Sequence, residues 1–422
     1  MSGRVLSVIR TYANSSGLYQ DLLMDAPFLF VDEVDTAGRH CLVRLDLNVP
    51  LADGAVADDT RIRRVLPGLI ALRDTGARII ILTHLGRPKG RVMPEFSVGP
   101  VAACLSRLLG CPVPVEPDIL GEGARNAVAA MTDGDVLMLE NLRFHPQEET
   151  NDGEFASGLA ALGDIYVGDA FSCTHRAHAS VDALPKLMTV ATAGRALGEE
   201  LTALHDALAS PKRPVASIVG GAKVSTKLKV LENLIEKVDS LTLGGGMANT
   251  FLLAEGVDVG ASLVEPDMVE TASLIREKAA TANCRIVLPR DFLVAKELSA
   301  GTSHQVVGIG EIAGDDMILD AGPVSAGEVA AHLSGCRTIV WNGPLGAFEF
   351  PPFDSATNAV ARAVADLTAD GSLLSVAGGG DTLAALANAG VGNQFSYVST
   401  AGGAFLEWLE GRTLPGVEAL RR

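Results

Sequence analysis

Five basic side chains stand at breaks between apolar runs: Arg61, His84, Arg87, Arg143 and Arg176. A guanidinium fork binds carboxylate or phosphate through two parallel hydrogen bonds, so such residues converging at one sheet edge would form a pocket for a small, multiply anionic substrate. The chain around them has 34 basic and 51 acidic residues, and its formal charge of −17 opposes nucleic acid or an anionic membrane as partner. Basic groups that bind anions must therefore be clustered. Period-2 alternation over 41–49 puts Asp46 and Asn48 on one strand face with Arg44. At 58–63, acidic Asp58 and Asp59 suit a helix start, whereas Arg61 and Arg63 oppose its dipole, a local conflict that signals a functional constraint. His84, His175 and His178 share no ligand spacing with a carboxylate or cysteine, which argues against a metal centre among them.

The second half carries a different chemistry. A strand, a glycine cluster and a helix recur at Gly220-Gly221, Gly244-Gly245-Gly246, Gly378-Gly379-Gly380 and Gly402-Gly403. Glycines at strand ends let backbone amides and helix N-termini approach a phosphate. Lys223 and Lys227 follow the first cluster four residues apart, a spacing that predicts two ammonium groups on one helix face. Asp381 reads as the N-cap of the helix after the third cluster and also as a magnesium ligand, with Thr382 beside it. Glu349, just past Asn342-Gly343-Pro344, could bind sugar hydroxyls or be a plain loop acid. No Gly-Lys dipeptide exists, so there is no Walker loop, and Gly308-Ile309-Gly310 lacks the third glycine of a dinucleotide fingerprint.

Placing these residues requires alternating strands and helices. Runs at 78–83, 135–139, 164–167, 214–219, 240–243, 285–288, 338–341, 373–377 and 395–399 read as strands, and 61–73 and 101–109 as amphipathic helices. The pattern is α/β, and so many strands fit two parallel, doubly wound sheets better than one. The leucines of 196–208 have helical spacing and precede Ser210-Pro211-Lys212-Arg213-Pro214, which places a hinge there. With 422 residues, two domains can each bury a core. Six scattered cysteines make no disulfide framework and favour a reducing compartment. No apolar run approaches the roughly 18 residues of a membrane span. The first twenty residues, with no acid before Asp21, faintly resemble an organelle transit peptide, but for residues 1–27 an unstructured extension or a start at Met24 is the favoured reading.

From about residue 28 to 420 the sequence resembles phosphoglycerate kinase. The resemblance rests on Arg44-Leu45-Asp46-Leu47-Asn48, Asp59-Thr60-Arg61-Ile62-Arg63, His84-Leu85-Gly86-Arg87-Pro88, Glu140-Asn141-Leu142-Arg143-Phe144, His175-Arg176-Ala177-His178, Gly220-Gly221-Ala222-Lys223, Trp341-Asn342-Gly343-Pro344 and Gly378-Gly379-Gly380-Asp381-Thr382. It implies two Rossmann-like domains, 28–195 for phosphoglycerate and 214–400 for nucleotide, joined through 196–213, with 401–422 returning to the first domain. The implied reaction is reversible phosphoryl transfer from 1,3-bisphosphoglycerate to ADP, giving 3-phosphoglycerate and ATP, with Mg2+ carried on the nucleotide.

By the same resemblance Asp46, Asn48, Arg61, His84, Arg87, Arg143 and Arg176 hold the phosphoglycerate. Lys223, Lys227, Gly245, Asn342, Glu349, Gly378, Gly379, Gly380, Asp381 and Thr382 serve the nucleotide, Asp381 on the metal side. Arg61, Lys227, Gly402 and Gly403 stabilise the transferring group. A cytoplasmic monomer with no nucleic-acid or membrane partner is implied. A carboxylate nucleophile is already ionised at neutral pH, so no general base is required, and none stands out. The chain departs from the family at Gly168, Ser172 and Ala401, and Ala401 would strain a phosphate-facing turn if that position needs a positive φ. These departures motivate an alternative, a non-catalytic nucleotide-binding scaffold on the same fold.

Overall fold

The computed structural model describes residues 28–421, so the expectations for the first 27 residues lie outside the described residues. The chain divides into two units. The first comprises the described residues through Ala170, Arg176–Gly198 and the residues from Pro415, and the second comprises Phe171–His175 and Glu199–Leu414.

The first unit is built on β1 (His40–Leu45), whose continuous run of buried residues marks a strand covered on both faces. The loop after it turns back as a short hairpin, β2 (Leu51–Ala52) and β3 (Ala55–Val56), through Asp53 and Gly54 at φ +50° and +73°. Strands β4 (Arg78–Leu82), β5 (Val115–Glu116), β6 (Val136–Leu139), β7 (Ile165–Asp169) and β8 (Ala191–Ala193) complete a parallel sheet ordered β5-β6-β4-β1-β7-β8. Helix Thr60–Asp74 lays Ile62, Val65, Leu69 and Leu72 on one side of it, the helical spacing expected of a core-facing stripe. Helix Gly99–Leu109 adds Val101 and Leu105, and Gly110, in the left-handed region, ends it. The segment after Pro415 belongs to this unit: Arg421 pairs antiparallel with Phe28, and a short helix Pro415–Glu418 packs on the π-helical turn Ala179–Ala183.

The second unit repeats the architecture with a different order. Strands β9 (Val215–Gly220), β10 (Ser240–Gly244) and β11 (Arg285–Val287) run to one side. A three-stranded antiparallel sheet of β12 (Asp291–Ala295), β13 (His304–Gly308) and β14 (Met317–Ala321) then intervenes. Strands β15 (Thr338–Asn342), β16 (Leu374–Gly378) and β17 (Tyr397–Ser399) extend the other side, giving β11-β10-β9-β15-β16-β17. That is the Rossmann order, and its switch point, where a crevice must open, lies between β9 and β15. Ile218, Ile339, Trp341, Val360 and Val364 pack one face. The helix expected over 196–208 runs as Arg195–Leu204 and widens into a π-helical turn at His205–Ala209; the division between units falls within it, after Gly198. All six cysteines are free, and no helix among the described residues is long and apolar enough to cross a membrane.

Three local expectations are corrected. The strand expected over 41–49 stops at Leu45, so Asp46 and Asn48 are fixed by a turn in which Asn48 N donates to Asp46 Oδ1, not by strand alternation. The helix expected to carry both Lys223 and Lys227 begins only at Leu228, because Lys227 N is engaged in a turn with Val224 O. Asp381 does not cap its helix: Gly379 occupies that position at φ +101°, and Asp381 sits in the first turn of Gly380–Asn388.

Candidate active site

In the first unit the carboxyl ends of β1 and β4 carry the polar residues. Arg61, in the first turn of helix Thr60–Asp74, donates to Asp46 Oδ2 at 2.6 Å and to Asn48 O at 3.3 Å. The arginine that opposed the helix dipole is thus held by an acid across the loop. Asn48 Oδ1 accepts from Gly86 N at 2.9 Å, and Gly86 O accepts from Arg143 Nη1 at 2.9 Å. Arg143 is buried and ion-paired with Glu149 at 3.4 Å. Its loop is secured by Asn141, fully buried, whose amide donates to Leu85 O and Phe96 O.

His84 lies at the centre of this set, 5% exposed. Burial first, then the nearby charges of Arg44 and Arg143, with His178 and Arg61 behind them, hold its imidazole well below the ordinary histidine range. It is neutral at physiological pH. Arg87 and Arg176 are exposed, on the loops after β4 and β7. Asp46, Asn48, Arg61 and Arg143 are therefore knit together through Gly86, with the charges of Arg61 and Arg143 acting on His84, while Arg87 and Arg176 are exposed on the loops that follow. The result is a cationic surface with a neutral N–H donor within it.

In the second unit the crevice opens at the switch point. Lys227 Nζ donates to Gly220 O at 2.7 Å, to Asn342 Oδ1 at 2.7 Å and to Asn342 O at 3.2 Å. Burial lowers its pKa to about 8, opposed by the negative charge of Asp381. Asn342 Nδ2 donates to Gly378 O, while Thr382 Oγ1 donates to Gly378 O and accepts from Gly343 N. The ends of β9, β15 and β16 are thereby tied through one lysine, one asparagine and one threonine. Gly343 stands at φ +105°, and a Cβ there would collide with the Gly220 carbonyl and come 2.9 Å from Lys227 Nζ. Only glycine keeps that junction closed.

Beside it lies a cleft of about 300 Å3, lined by Gly221, Gly245, Gly246, Glu349 and Asp381 and by the apolar Leu263, Leu298 and Phe348. Glu349 and Asp381 are exposed at this cleft. Lys223 and Gly380 are exposed on adjoining loops. Gly402, at φ +52°, precedes helix Gly403–Leu409, and Gly403 is exposed at its start. Ala401 is not among the described residues with positive φ, so the left-handed position of this turn falls on Gly402 and the alanine is unstrained.

Sequence reasoning passed over Leu263, Leu298 and Phe348, which have no motif and are joined only by folding. It also gave no role to Arg44, Glu148 and Ser180; a buried arginine on a central strand was the available signal. Gly168, another departure, lies in β7 facing Tyr166 and Leu420, where a Cβ would come within 3.2 Å of the tyrosine ring. Nothing in the structure explains Ser172.

A family model described as phosphoglycerate kinase matches residues 31–412. The chain is 56% identical over 395 residues to the phosphoglycerate kinase of Azorhizobium caulinodans, covering 94% of this chain and 99% of that one. It is 56% identical over 393 residues to that of Rhodospirillum centenum, covering 93% and 99%. The solved structure of phosphoglycerate kinase from Coxiella burnetii matches with a TM-score of 0.88 at 42% identity, over 93% of this chain and 99% of that one.

Proposed function

The chain belongs to the phosphoglycerate kinase family and is a phosphotransferase, and from that premise we propose how its own residues divide the reaction. Arg61, His84, Arg87, Arg143 and Arg176, with Asp46 and Asn48, hold 3-phosphoglycerate or 1,3-bisphosphoglycerate. Lys223, Lys227, Gly245, Asn342, Glu349, Gly378, Gly379, Gly380, Asp381 and Thr382 hold ADP or ATP. The nucleotide arrives as its magnesium complex. The Asp381 carboxylate, exposed at the cleft, is a hard oxygen donor of the kind that ion takes.

Transfer from the acyl phosphate to the β-phosphate of ADP, or from ATP to the carboxylate of 3-phosphoglycerate, places heavy negative charge on the migrating phosphoryl group. Lys227 and Arg61 neutralise it, and the Gly402 and Gly403 amides donate to its oxygens. No base is needed, because either acceptor oxygen is already ionised. Water must be kept from the acyl phosphate, so the two units close about 196–214 when both substrates are held. Small-angle scattering checks this: compaction with both substrates is expected, and its absence rejects the closure. The protein acts as a monomer in the cytoplasm.

The observation that most supports this division is Lys227, a largely buried ammonium kept at the junction of three glycine-rich strand ends by Gly220 and Asn342. The test is ATP- and 3-phosphoglycerate-dependent oxidation of NADH through coupled glyceraldehyde-3-phosphate dehydrogenase. Robust turnover that collapses in Lys227→Ala supports the reading. Absence of turnover in a folded, nucleotide-binding wild type overturns it.

A further inference from the structure

Arg44 is 2% exposed and among the largest fully buried side chains. An interior guanidinium is retained only when its donors are satisfied and its charge is balanced. Here Nη1 donates to the adjacent Leu45 carbonyl, Nε donates to Ser180 Oγ at 2.8 Å, and Nη2 faces His84 Nδ1 at 3.1 Å. Ser180 Oγ donates in turn to Glu148 Oε1 at 2.6 Å, and Glu148 Oε2 accepts from Ser180 N at 2.9 Å. Glu148 is fully buried. A carboxylate, a hydroxyl, a guanidinium and an imidazole thus form one chain across the first unit.

The direction of every bond in that chain is fixed. A guanidinium has no acceptor and does not lose its proton, so its contact with His84 Nδ1 requires that nitrogen to be the acceptor. The serine hydroxyl has one proton, which the carboxylate takes, so its oxygen accepts from Arg44. The neutral imidazole therefore carries its proton on Nε2.

We propose that Arg44, anchored through Ser180 to Glu148, is a positioning residue that locks His84 in the Nε2–H tautomer, so that it meets the anionic substrate as a neutral hydrogen-bond donor. A second proton on the ring would have to enter at Nδ1, against the guanidinium. Arg143, His178 and Arg61 also act on His84 and oppose protonation in the same sense, while the Asp46 carboxylate, within 4.8 Å of a ring nitrogen, acts the opposite way and is outweighed by burial and the guanidinium groups. The surrounding guanidinium groups supply charge, and His84, its imidazole held well below the ordinary histidine range, supplies a directed N–H. The locked proton also bars Nε2 from acting as a base. This inference rests on the reading that the first unit takes phosphoglycerate.

The test is nitrogen-resolved NMR of the histidine rings in the unliganded full chain, with His84 assigned by its loss in His84→Gln. The expected spectrum is the neutral Nε2–H pattern for His84, unchanged from pH 8 to 5.5. An Nδ1–H pattern, or an imidazolium at pH 7, overturns the proposal without any variant of Arg44. In Arg44→Met the expected result is a mixture of tautomers that titrates between pH 5 and 7. With it should come a KM for 3-phosphoglycerate raised about tenfold, kcat changed less, and a new pH dependence of kcat/KM in that range, the scale of one lost directed hydrogen bond. A folded Arg44→Met with wild-type tautomer and pH profile overturns the proposal. Should Arg44→Met fail to fold, Arg44→Lys is read instead: retention of the Nε2–H tautomer supports the lock and an Nδ1–H ring rejects it. Because the ring spectrum needs no substrate, its outcome is separate from turnover, which tests the assigned reaction.

Discussion

On the proposed division, the two units hold their multiply charged anions with opposite materials. In the first, side chains do it: Arg61, Arg143 and His84 are braced by Asp46, Asn48, Gly86 and Arg44, and the backbone serves mainly as their acceptor. In the second, the backbone does it: glycines at the ends of β9, β10, β15 and β16 bring main chain against main chain, and few charged side chains enter. A side-chain site discriminates shape and charge pattern, because each fork has a fixed geometry. A backbone site tolerates little change at glycines such as Gly220, Gly244, Gly343 and Gly378, because the space a Cβ would need there is already filled. The units should therefore fail differently when altered.

The largest effect expected is from Lys227→Ala, which removes a half-buried cation from the backbone-built site. kcat should fall by about 10²–10³ with the melting temperature nearly unchanged, the loss typical of removing a charge that stabilises a transition state. A smaller loss would mean that the glycine amides carry the migrating group alone. Next, Gly343→Ala should cost about 2–3 kcal/mol of stability through forced positive φ and collision with the Gly220 carbonyl, with a raised KM for ADP and an unchanged KM for 3-phosphoglycerate. Thermal melts and initial rates check it. A fall in phosphoglycerate affinity instead would break the contrast.

Arg143→Lys keeps the charge and loses the fork, so kcat/KM for 3-phosphoglycerate should drop about tenfold while the KM for ADP stays put. A change in both would show that the sites are not independent. The pH profile sharpens the comparison further. Lys227 has its pKa lowered to about 8 in the folded chain, so kcat/KM for the nucleotide should fall as pH rises through that value, and Lys227→Arg should not show that fall. For stability the sign is reversed. The unfolded chain binds the extra proton, so the cost of burying this ammonium is present below about 8 and is relieved as pH rises toward the unfolded value of 10.5. The smallest effect is expected from Ala401→Gly: activity within about twofold of the parent, since the alanine occupies ordinary φ and the left-handed position belongs to Gly402.

The interior strands were legible because a strand buried on both faces is a short apolar run, as at Arg78–Leu82 and Thr338–Asn342. Two- and three-residue strands such as Val115–Glu116 and Ala191–Ala193 carry no pattern of their own and exist by pairing with their neighbours. The antiparallel sheet around Asp291–Ala295 was missed because Arg285–Val287 precedes it too closely for the expected intervening helix. At the candidate site, Arg61 and Arg143 come together through Asp46, Asn48 and Gly86, and the glycine clusters stand at strand ends, as the breaks between apolar runs suggest. Their immediate geometry was read less well. Lys227 reaches the crevice from a turn instead of a helix face, and Asp381 stands inside the helix that it seemed to cap. Arg44 was visible in the sequence, but burial is what turns it from a surface cation into a constraint on His84.

The pairing of Phe28 with Arg421 has a consequence for synthesis. Residues 415–421 pack on the turn that carries Ser180, and Leu420 faces Gly168 beside Tyr166, whose hydroxyl donates to Ser180 O. A ribosome delivers the chain from its amino end, so the unit whose residues emerge first is the unit completed last. Every residue assigned to the second unit has already been added when Pro415 is joined. The last piece of the first unit is thus added after all of the second, and the seat of Ser180 that braces Arg44 is finished only then.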